Sequence, residues 1–195
     1  TGISSGMTQP AVLIICGSGR RPSYTASLCA AVEQSLSAAG AAVTIRTPTD
    51  LPFADPDRRL QRETIDIPEV ADFFRAAQTA DAIILASPVY HNSCSGLLKN
   101  AVDWLGMNEC RGKAFGLISH GGGSPQPVDH LRIIVRALQA IAIPTQVSTA
   151  EAHYGPLSET TGLFPLTDPA IGKRLQKFSG ELLEFTAMLS DRKPA

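Results

Sequence analysis

The chain has 195 residues, of which 44% are hydrophobic, and it carries a formal net charge of −1. This length fits one domain with a sizeable core, and the near-neutral charge provides no electrostatic basis for nucleic acid or an anionic membrane as the main partner. No apolar run is long enough to span a bilayer, and with no export signal we expect a cytoplasmic protein whose four cysteines are reduced.

Strands and helices alternate along the chain once residues 1–6, which resemble a cloning remnant, are set aside. The remaining residues, 7–195, are predicted to form a single domain. Short apolar runs predict strands at Ala11–Cys16, Ala41–Arg46, Asp81–Ser87, Lys113–Ser119 and Pro144–Ser148. Helical spacing of apolar residues predicts helices at Tyr24–Ala39, Pro68–Thr79, Ser95–Leu105, Val128–Ile141 and Asp168–Leu189.

This alternation predicts an α/β fold, a flavodoxin-like three-layer sandwich. Its five-stranded parallel sheet would have the order 2-1-3-4-5, with helices on both faces. In such a sheet, ligands bind beyond the carboxyl ends of the strands. The two long irregular stretches, residues 47–67 and 151–166, are expected to cover either the site or a partner subunit.

The loop after the first strand has the features of an anion site. Gly17-Ser18-Gly19 ends the strand, and the next helix begins at Tyr24, so free N–H groups and the helix dipole favour a phosphate there. Ser18, Ser23 and Thr25 can add hydroxyl donors, and Arg20 or Arg21 can add charge. The loop lacks both the lysine of a Walker loop and the third glycine of the dinucleotide fingerprint. An ordinary turn with exposed arginines is the alternative interpretation.

Two more loops are expected at the same edge of the sheet. The SPVYHNSCSG loop offers Tyr90 as a flat aromatic surface, and His91, Asn92 and Ser93 can form hydrogen bonds. The SHGGGSPQP loop contains three consecutive glycines, which let the backbone approach a ligand closely. A phosphate site, an aromatic surface and a bare polar backbone together predict a ribityl-phosphate flavin lying across this edge.

These three segments resemble the NADPH-dependent FMN reductase family. GSGRRPSYT, SPVYHNSCSGLLKNAVDWLG and ISHGGG are similar to the family's motifs, in the same order and spacing, over about residues 11–149. The family often has glutamate at the position of Val89 and Asn-Gly at that of His91-Asn92. The resemblance implies that FMN contacts three sets of positions: Ser18, Arg20, Ser23, Tyr24 and Thr25 at the phosphate; Pro88, Val89, Tyr90, His91, Asn92 and Ser93 beside the isoalloxazine and ribityl; and Ser119, Gly121, Gly122 and Gly123 at the pyrimidine end.

The resemblance also implies an activity, an FMN-dependent NAD(P)H oxidoreductase. Hydride passes from NADPH or NADH to FMN, and electrons pass on to a small-molecule acceptor such as a flavin, quinone or azo dye, or to a partner flavin-dependent monooxygenase. Because the flavin performs the chemistry, no catalytic side chain is predicted. No cluster of His, Cys, Asp or Glu has the spacing of metal ligands, so no metal site is predicted. Backbone N–H groups near Gly121–Gly123 are expected to stabilise negative charge on the reduced ring. His120 and Cys94 are not assigned catalytic roles.

The protein is expected to form a homo-oligomer, and two alternative functions remain open. The resemblance implies a homodimer or homotetramer, in which the helix bearing Lys99, Asn100, Asp103 and Trp104 often joins the contact. One alternative is a flavodoxin-like electron carrier, which the near-neutral charge and Arg20-Arg21 disfavour. The other is an FMN-dependent dehydrogenase that acts on a biosynthetic intermediate without general NAD(P)H reductase activity.

Overall fold

A parallel sheet forms the middle layer of the computed structural model, which describes residues 9–55, 57, 66–122 and 126–190. The strands are β1 (Ala11–Cys16), β2 (Ala42–Arg46), β3 (Ala82–Pro88), β4 (Ala114–His120), β5 (Ile141–Ala142) and β6 (Val147–Thr149). The helices in the described residues are α1 (Tyr24–Ala38), α2 (Pro68–Thr79), α3 (Gly96–Trp104), α4 (Met107–Cys110), α5 (Gln126–Ala137) and α6 (Pro169–Ser190), and a 3-10 turn spans Glu151–His153. The short helix α4 was not predicted.

The order of the sheet, β2-β1-β3-β4-β5, confirms the predicted topology. All of these neighbours pair in parallel, as helical crossovers require. Alternate residues of β1 face opposite layers: Leu13 and Ile15 pack with α2, α3 and α5, whereas Ile14 and Cys16 pack with α1 and α6. Burial on both faces explains why β1 is apolar throughout and β3 is apolar except for Ser87.

The fifth strand was predicted at Pro144–Ser148, which overlaps an observed strand only at Val147 and Ser148. The structure instead has two short strands, β5 and β6, which pair with the start and the end of β4 respectively. Pro144 lies between them, and proline has no N–H to donate to a sheet ladder. Arg132 of α5 holds this break by donating to the carbonyls of Ile143 and Pro144, at 3.0 Å each.

The end of α5 also differs from the prediction, which carried this helix to Ile141. The helix stops at Ala137 because Gln139 adopts a left-handed conformation with φ of 57°. The Ala140 N–H then donates to the Val135 carbonyl at 3.1 Å, and the Gln139 N–H donates to the Arg136 carbonyl at 3.0 Å. This is a Schellman ending, which glycine usually marks in a sequence. Because the sequence has glutamine instead of glycine here, it gave no indication that the helix ends at this point.

The Gln139→Gly substitution is expected to raise the free energy of unfolding by about 0.5–1 kcal/mol, because glycine adopts this conformation without the side-chain penalty. Urea denaturation measures the change. Gly40, with φ of 90° after α1, provides the opposite control, since Gly40→Ala should destabilise the protein. A loss of stability in Gln139→Gly would contradict the prediction.

The last helix begins as predicted. Asp168 caps α6, since its Oδ1 accepts from the N–H groups of Ala170 (2.8 Å) and Ile171 (3.1 Å).

None of the helices described combines the length and apolar character that a membrane span requires. Residues 56 and 58–65, in the predicted 47–67 loop, lie outside the described residues, as does Gly123.

Candidate functional site

The loop between β1 and α1 gathers hydrogen-bond donors at the carboxyl edge of the sheet. Ser23 caps α1, accepting from the Ala26 N–H at 3.2 Å, and its hydroxyl donates to Ser18 Oγ at 2.9 Å. First-turn N–H groups have no acceptor inside a helix, and within the described residues those of Tyr24 and Thr25 have none elsewhere. The loop therefore presents hydroxyl groups, free N–H groups and the positive end of a helix dipole to one point.

Gly17 fixes this loop against the neighbouring strand and helix. Its N–H donates to the Ala86 carbonyl at 2.8 Å, and its carbonyl accepts from Ser95 Oγ at 2.6 Å. A Cβ atom at position 17 would lie 2.6 Å from the Leu98 Cβ, so only glycine fits here. Ser95 was not predicted, although it ties the first loop to α3 and also caps that helix through the Leu98 N–H.

A cavity of about 720 Å³ lies beside the phosphate-loop residues. Its floor is formed by residues 18–23, which include Ser18, Arg20 and Ser23 of the predicted phosphate set. Thr47 and Thr49, after β2, line one side. The opposite wall consists of Leu157, Thr161, Gly162 and Leu163. None of the described residues that line this cavity is acidic, so its electrostatics favour an anion.

That opposite wall belongs to a segment that we call the 154–166 hairpin. Tyr154 bridges to Leu166, and the Gly155 N–H donates to the Pro165 carbonyl at 2.8 Å. The hairpin is attached to α1, because the Phe164 N–H donates to the buried Ser27 Oγ at 2.9 Å. The sequence showed only an irregular stretch here, and the structure places its tip across the cavity from the β1–α1 loop.

Four aromatic rings form a cluster beside the same loop. The Tyr24 ring stacks on Phe164, with centroids 3.9 Å apart, and on His120, at 4.7 Å; Tyr154 packs against it at 5.2 Å. His120 Nδ1 lies 3.1 Å from Thr149 Oγ1, which lies 3.0 Å from the Tyr154 hydroxyl. Tyr24 was predicted at the phosphate, but its ring belongs to this cluster. Its backbone N–H is the group at the helix start.

The protonation of this cluster follows from its burial. Burial lowers the pKa of His120, although the Glu151 carboxylate opposes the shift. Burial also raises the pKa of Tyr154 to about 12, while its hydrogen bond with Thr149 opposes that rise. At neutral pH the cluster therefore contains a neutral imidazole and two neutral phenols, since the pKa of Tyr24 is raised as well.

The low pKa of His120 predicts a loss of stability as the pH falls. The unfolded chain takes up a proton near pH 6.5 that the folded chain binds only at lower pH, so the free energy of unfolding decreases as the pH falls below about 6.5. Urea denaturation at pH 7 and at pH 5 measures the free energy of unfolding. Its decrease from pH 7 to pH 5 should be smaller in His120→Gln than in the wild type. His130→Gln, on exposed His130, is the matched control and should keep the wild-type difference.

The second predicted loop, after β3, ends in a tight two-residue turn. The Tyr90 N–H donates to the Ser93 carbonyl at 3.0 Å, and the Ser93 N–H donates to the Tyr90 carbonyl at 2.9 Å. His91 and Asn92 have φ values of 50° and 58°, as a type I′ turn requires. Both are exposed, and Ser93 Oγ lies 3.0 Å from His130 Nδ1.

The faces of this loop differ sharply in exposure. Tyr90 is 52% exposed at the edge of the sheet, whereas Pro88 is buried at the end of β3. Half-buried Val89 donates its N–H to the His120 carbonyl at 2.9 Å, which joins the second loop to the third. Tyr90 therefore offers an open aromatic surface on a firmly attached backbone.

The glycine turn after β4 was expected to present free N–H groups, and one of the two described there is already hydrogen-bonded. The Gly121 N–H donates to the Thr149 carbonyl at 2.9 Å, so it is already occupied. Gly122 has φ of 59°, and a Cβ atom there would meet nothing within 4 Å. Buried Ser119 lies 2.9 Å from Ser148 through their hydroxyls, which places it behind the turn. The open side of the turn thus lies at Gly122.

Comparison with known proteins agrees with this geometry. Residues 10–154 match the family described as NADPH-dependent FMN reductase. This chain belongs to that family. A curated relative named FMN-dependent NADPH-azoreductase, from Staphylococcus haemolyticus, is 34% identical over 177 residues, which cover 89% of this chain and 93% of the relative. The relative of the same name from Staphylococcus aureus (strain USA300) is 33% identical with the same coverage.

Solved structures in the same comparison share the fold. The flavoenzyme NAD(P)H:(acceptor) oxidoreductase FerB from Paracoccus denitrificans superposes with a TM-score of 0.73 at 21% identity, covering 93% of this chain and 98% of FerB. The apo form of the NADH:FMN oxidoreductase EmoB gives a TM-score of 0.69 at 23% identity, covering 95% of this chain and 92% of EmoB. With the family match and the curated relatives, the protein is an FMN-dependent NAD(P)H oxidoreductase of flavodoxin-like fold.

Proposed function

We propose that the FMN phosphate binds in the β1–α1 loop and that the flavin ring extends across the carboxyl edge toward Tyr90 and Gly122. The observation that carries this placement is a cavity with no acidic residue in its described lining, where Arg20, the buried hydroxyls of Ser18 and Ser23 and a helix N-terminus converge. A phosphate dianion satisfies all of these groups, whereas a neutral ligand would leave the charges unpaired.

The remaining predicted residues have separate roles in this proposal. Pro88, Val89 and Tyr90 form the strand end and surface beside the ring, and His91, Asn92 and Ser93 provide the polar turn that borders it. Ser119 and Gly121 hold the third loop in place through Ser148 and Thr149. Gly123, outside the described residues, completes the predicted glycine turn.

When bound, FMN supplies the hydride and electron transfer. The protein binds the phosphate through Ser18, Arg20 and the helix start, and it leaves the Gly122 N–H facing the pyrimidine end. An N–H donor there stabilises negative charge as it develops. The neutral His120 and Tyr154 add no opposing charge nearby, so the electrostatic role falls to the backbone.

We propose a small planar acceptor, such as an azo dye or a quinone. The half-exposed ring of Tyr90 supports this, because an open aromatic surface accommodates flat ligands by stacking. The relatives named FMN-dependent NADPH-azoreductase support it as well. Free NAD(P)H and the four free cysteines are typical of the cytoplasm, where we place the protein.

A visible absorption spectrum tests this function. The protein is mixed with FMN, desalted and then given NADPH without oxygen. Retained flavin that bleaches, and recovers its colour with an azo dye or quinone, is the expected result. Flavin lost on desalting, with NADPH consumed only when FMN is supplied, would indicate delivery of reduced flavin to a monooxygenase instead. Bound flavin that ignores NADPH and NADH would contradict the proposal and favour the carrier or the dehydrogenase.

We also propose that the protein assembles as a homodimer, or as a tetramer built from that dimer. Phe53 is 75% exposed, although the chain around it is firmly held. The Pro52 carbonyl accepts from Trp104 Nε1 (2.9 Å) and Asn100 Nδ2 (3.0 Å), and the Ala54 N–H donates to Asn100 Oδ1 (2.9 Å). A large apolar side chain displayed on a fixed backbone is typical of a contact surface.

Light scattering tests the assembly. The wild type should give the mass of a dimer or tetramer, and Phe53→Ser should shift the protein toward the monomer. Met188→Ser, at another exposed apolar residue, is the matched control. A monomeric wild type would contradict the proposal.

A further inference from the structure

The cavity beside the β1–α1 loop is much larger than a phosphate group. Its volume of about 720 Å³ is within the range of about 300–1,000 Å³ that accommodates a whole small molecule. Its lining includes neither the loop that carries Tyr90 nor the turn at Gly122. The space therefore continues from the phosphate loop toward the 154–166 hairpin, away from the proposed position of the ring.

The lining has the chemistry of a nucleotide site. Leu157 and Leu163 offer apolar surface to a planar base, and Thr161 adds a hydroxyl group from the same wall. Arg20 and Arg21 are both exposed and both line the cavity. Because no described lining residue is acidic, two guanidinium groups face a space in which the FMN phosphate would occupy only one part.

The two arginines can serve different phosphates. Arg20 stands at the arginine position of the family's phosphate-loop motif, where FMN is proposed to place its phosphate. Arg21 is the next residue along the same floor, and it remains for a second anionic group.

We propose that this cavity is a subsite for a phosphorylated adenosine, in which Arg21 binds the adenosine phosphate and the tip of the 154–166 hairpin covers the base. This proposal rests on the proposed placement of FMN. Two ligands carry this chemistry: the hydride donor NADPH, through its 2′-phosphate, and FAD bound in place of FMN. A nicotinamide dinucleotide would then lie beside the flavin with its adenosine end at the hairpin.

The wall is built in advance of any ligand. Phe164 is held both by its N–H bond to Ser27 (2.9 Å) and by its stacking on Tyr24 (3.9 Å). The Ser158 N–H also donates to the Leu163 carbonyl at 2.9 Å, which closes the tip. A preformed wall binds its ligand without the entropic cost of ordering a loop.

Calorimetric titration of the FMN-loaded protein with 2′,5′-ADP, and separately with 5′-AMP, tests the subsite. We expect saturable binding of 2′,5′-ADP that weakens at least tenfold in Arg21→Ala, with FMN affinity changed less than twofold. Arg136→Ala removes the same charge from exposed Arg136 on α5 and should leave both affinities unchanged. A second titration measures the binding of FAD to flavin-free protein. Tight FAD binding that 2′,5′-ADP weakens and Arg21→Ala impairs would assign the subsite to the flavin dinucleotide instead of the donor.

Two results would overturn the subsite, and a third would overturn the proposed function instead. If FMN binds but neither 2′,5′-ADP, 5′-AMP nor FAD does, the subsite is absent while the proposed function stands. Displacement of FMN by 2′,5′-ADP would mean that the cavity is a single phosphate site. Failure of FMN itself to bind would instead refute the proposed function.

A second pair of variants probes the wall. Leu157 is 42% exposed, so it tolerates polar replacement. Leu157→Glu places a negative charge in the cavity that holds the anionic ligand and should weaken 2′,5′-ADP at least tenfold, whereas Leu157→Gln, of the same shape, should weaken it less than threefold. Equal affinities in the two variants would remove the hairpin from the subsite.

Discussion

The Gly122→Val substitution is expected to raise the dissociation constant for FMN by about tenfold to a hundredfold. Gly122 has φ of 59°, where a β-branched residue is strained by about 1–3 kcal/mol, so the turn will shift to relieve the strain. The shift moves the N–H group proposed to face the pyrimidine end of the flavin. A loss of about 1.4–2.8 kcal/mol in binding corresponds to this change in affinity. Quenching of flavin fluorescence on titration measures it.

Gly112→Val is the matched control for this experiment. Gly112 has φ of 71°, and a Cβ atom there also meets nothing within 4 Å, but it lies in the turn before β4, at the other end of the strand from Gly122. Both variants should therefore lose similar stability, and only Gly122→Val should lose FMN affinity. Equal FMN affinity in the two variants would show that the glycine turn does not contact the flavin.

The second large effect is expected for Arg20→Ala, which should weaken FMN by about tenfold to a hundredfold and leave riboflavin almost unchanged. Riboflavin lacks the phosphate, so it loses nothing when the guanidinium is removed. A hydrogen bond to a charged group contributes about 1.5–3 kcal/mol, which sets the size of the effect. Titration of the variant and the wild type with both ligands measures the difference.

The same titration with Arg136→Ala controls for the loss of one positive charge. Arg136 is exposed near the end of α5, so its removal should change neither FMN nor riboflavin binding. If Arg20→Ala weakens FMN and riboflavin equally, Arg20 is not at the phosphate.

The order of the sheet and the meeting of the three loops were predictable because both follow from local patterns. β1 and β3 are apolar except for Ser87, which indicates burial on both faces, and helices between such strands require a parallel arrangement. The loops then meet because the carboxyl ends of parallel strands share an edge. Breaks caused by single residues were harder to predict. Gln139 ends α5 in a left-handed conformation, which glutamine rarely adopts. Pro144 separates the two short strands β5 and β6.

The aromatic cluster could not be predicted from the sequence. Tyr24 and Phe164 lie 140 positions apart, and their contact depends on how the whole hairpin docks on α1. The signal that could have suggested it is the presence of Tyr154 and Phe164 in a stretch otherwise rich in turn residues. Ser27 gave no signal, because a serine within a helix usually binds only its own backbone.

The hairpin that faces the phosphate loop begins at Tyr154, the residue at which the family match ends. The residues proposed to bind the flavin thus lie within the matched segment, whereas the later segment, the hairpin, lines the cavity beside the phosphate loop. Substitutions in the later segment can alter which second ligand fits there and leave Ser18, Ser23 and the helix start intact. We therefore expect exchange of residues 155–165 between relatives to change the preference for a second ligand and to leave the proposed flavin site unchanged.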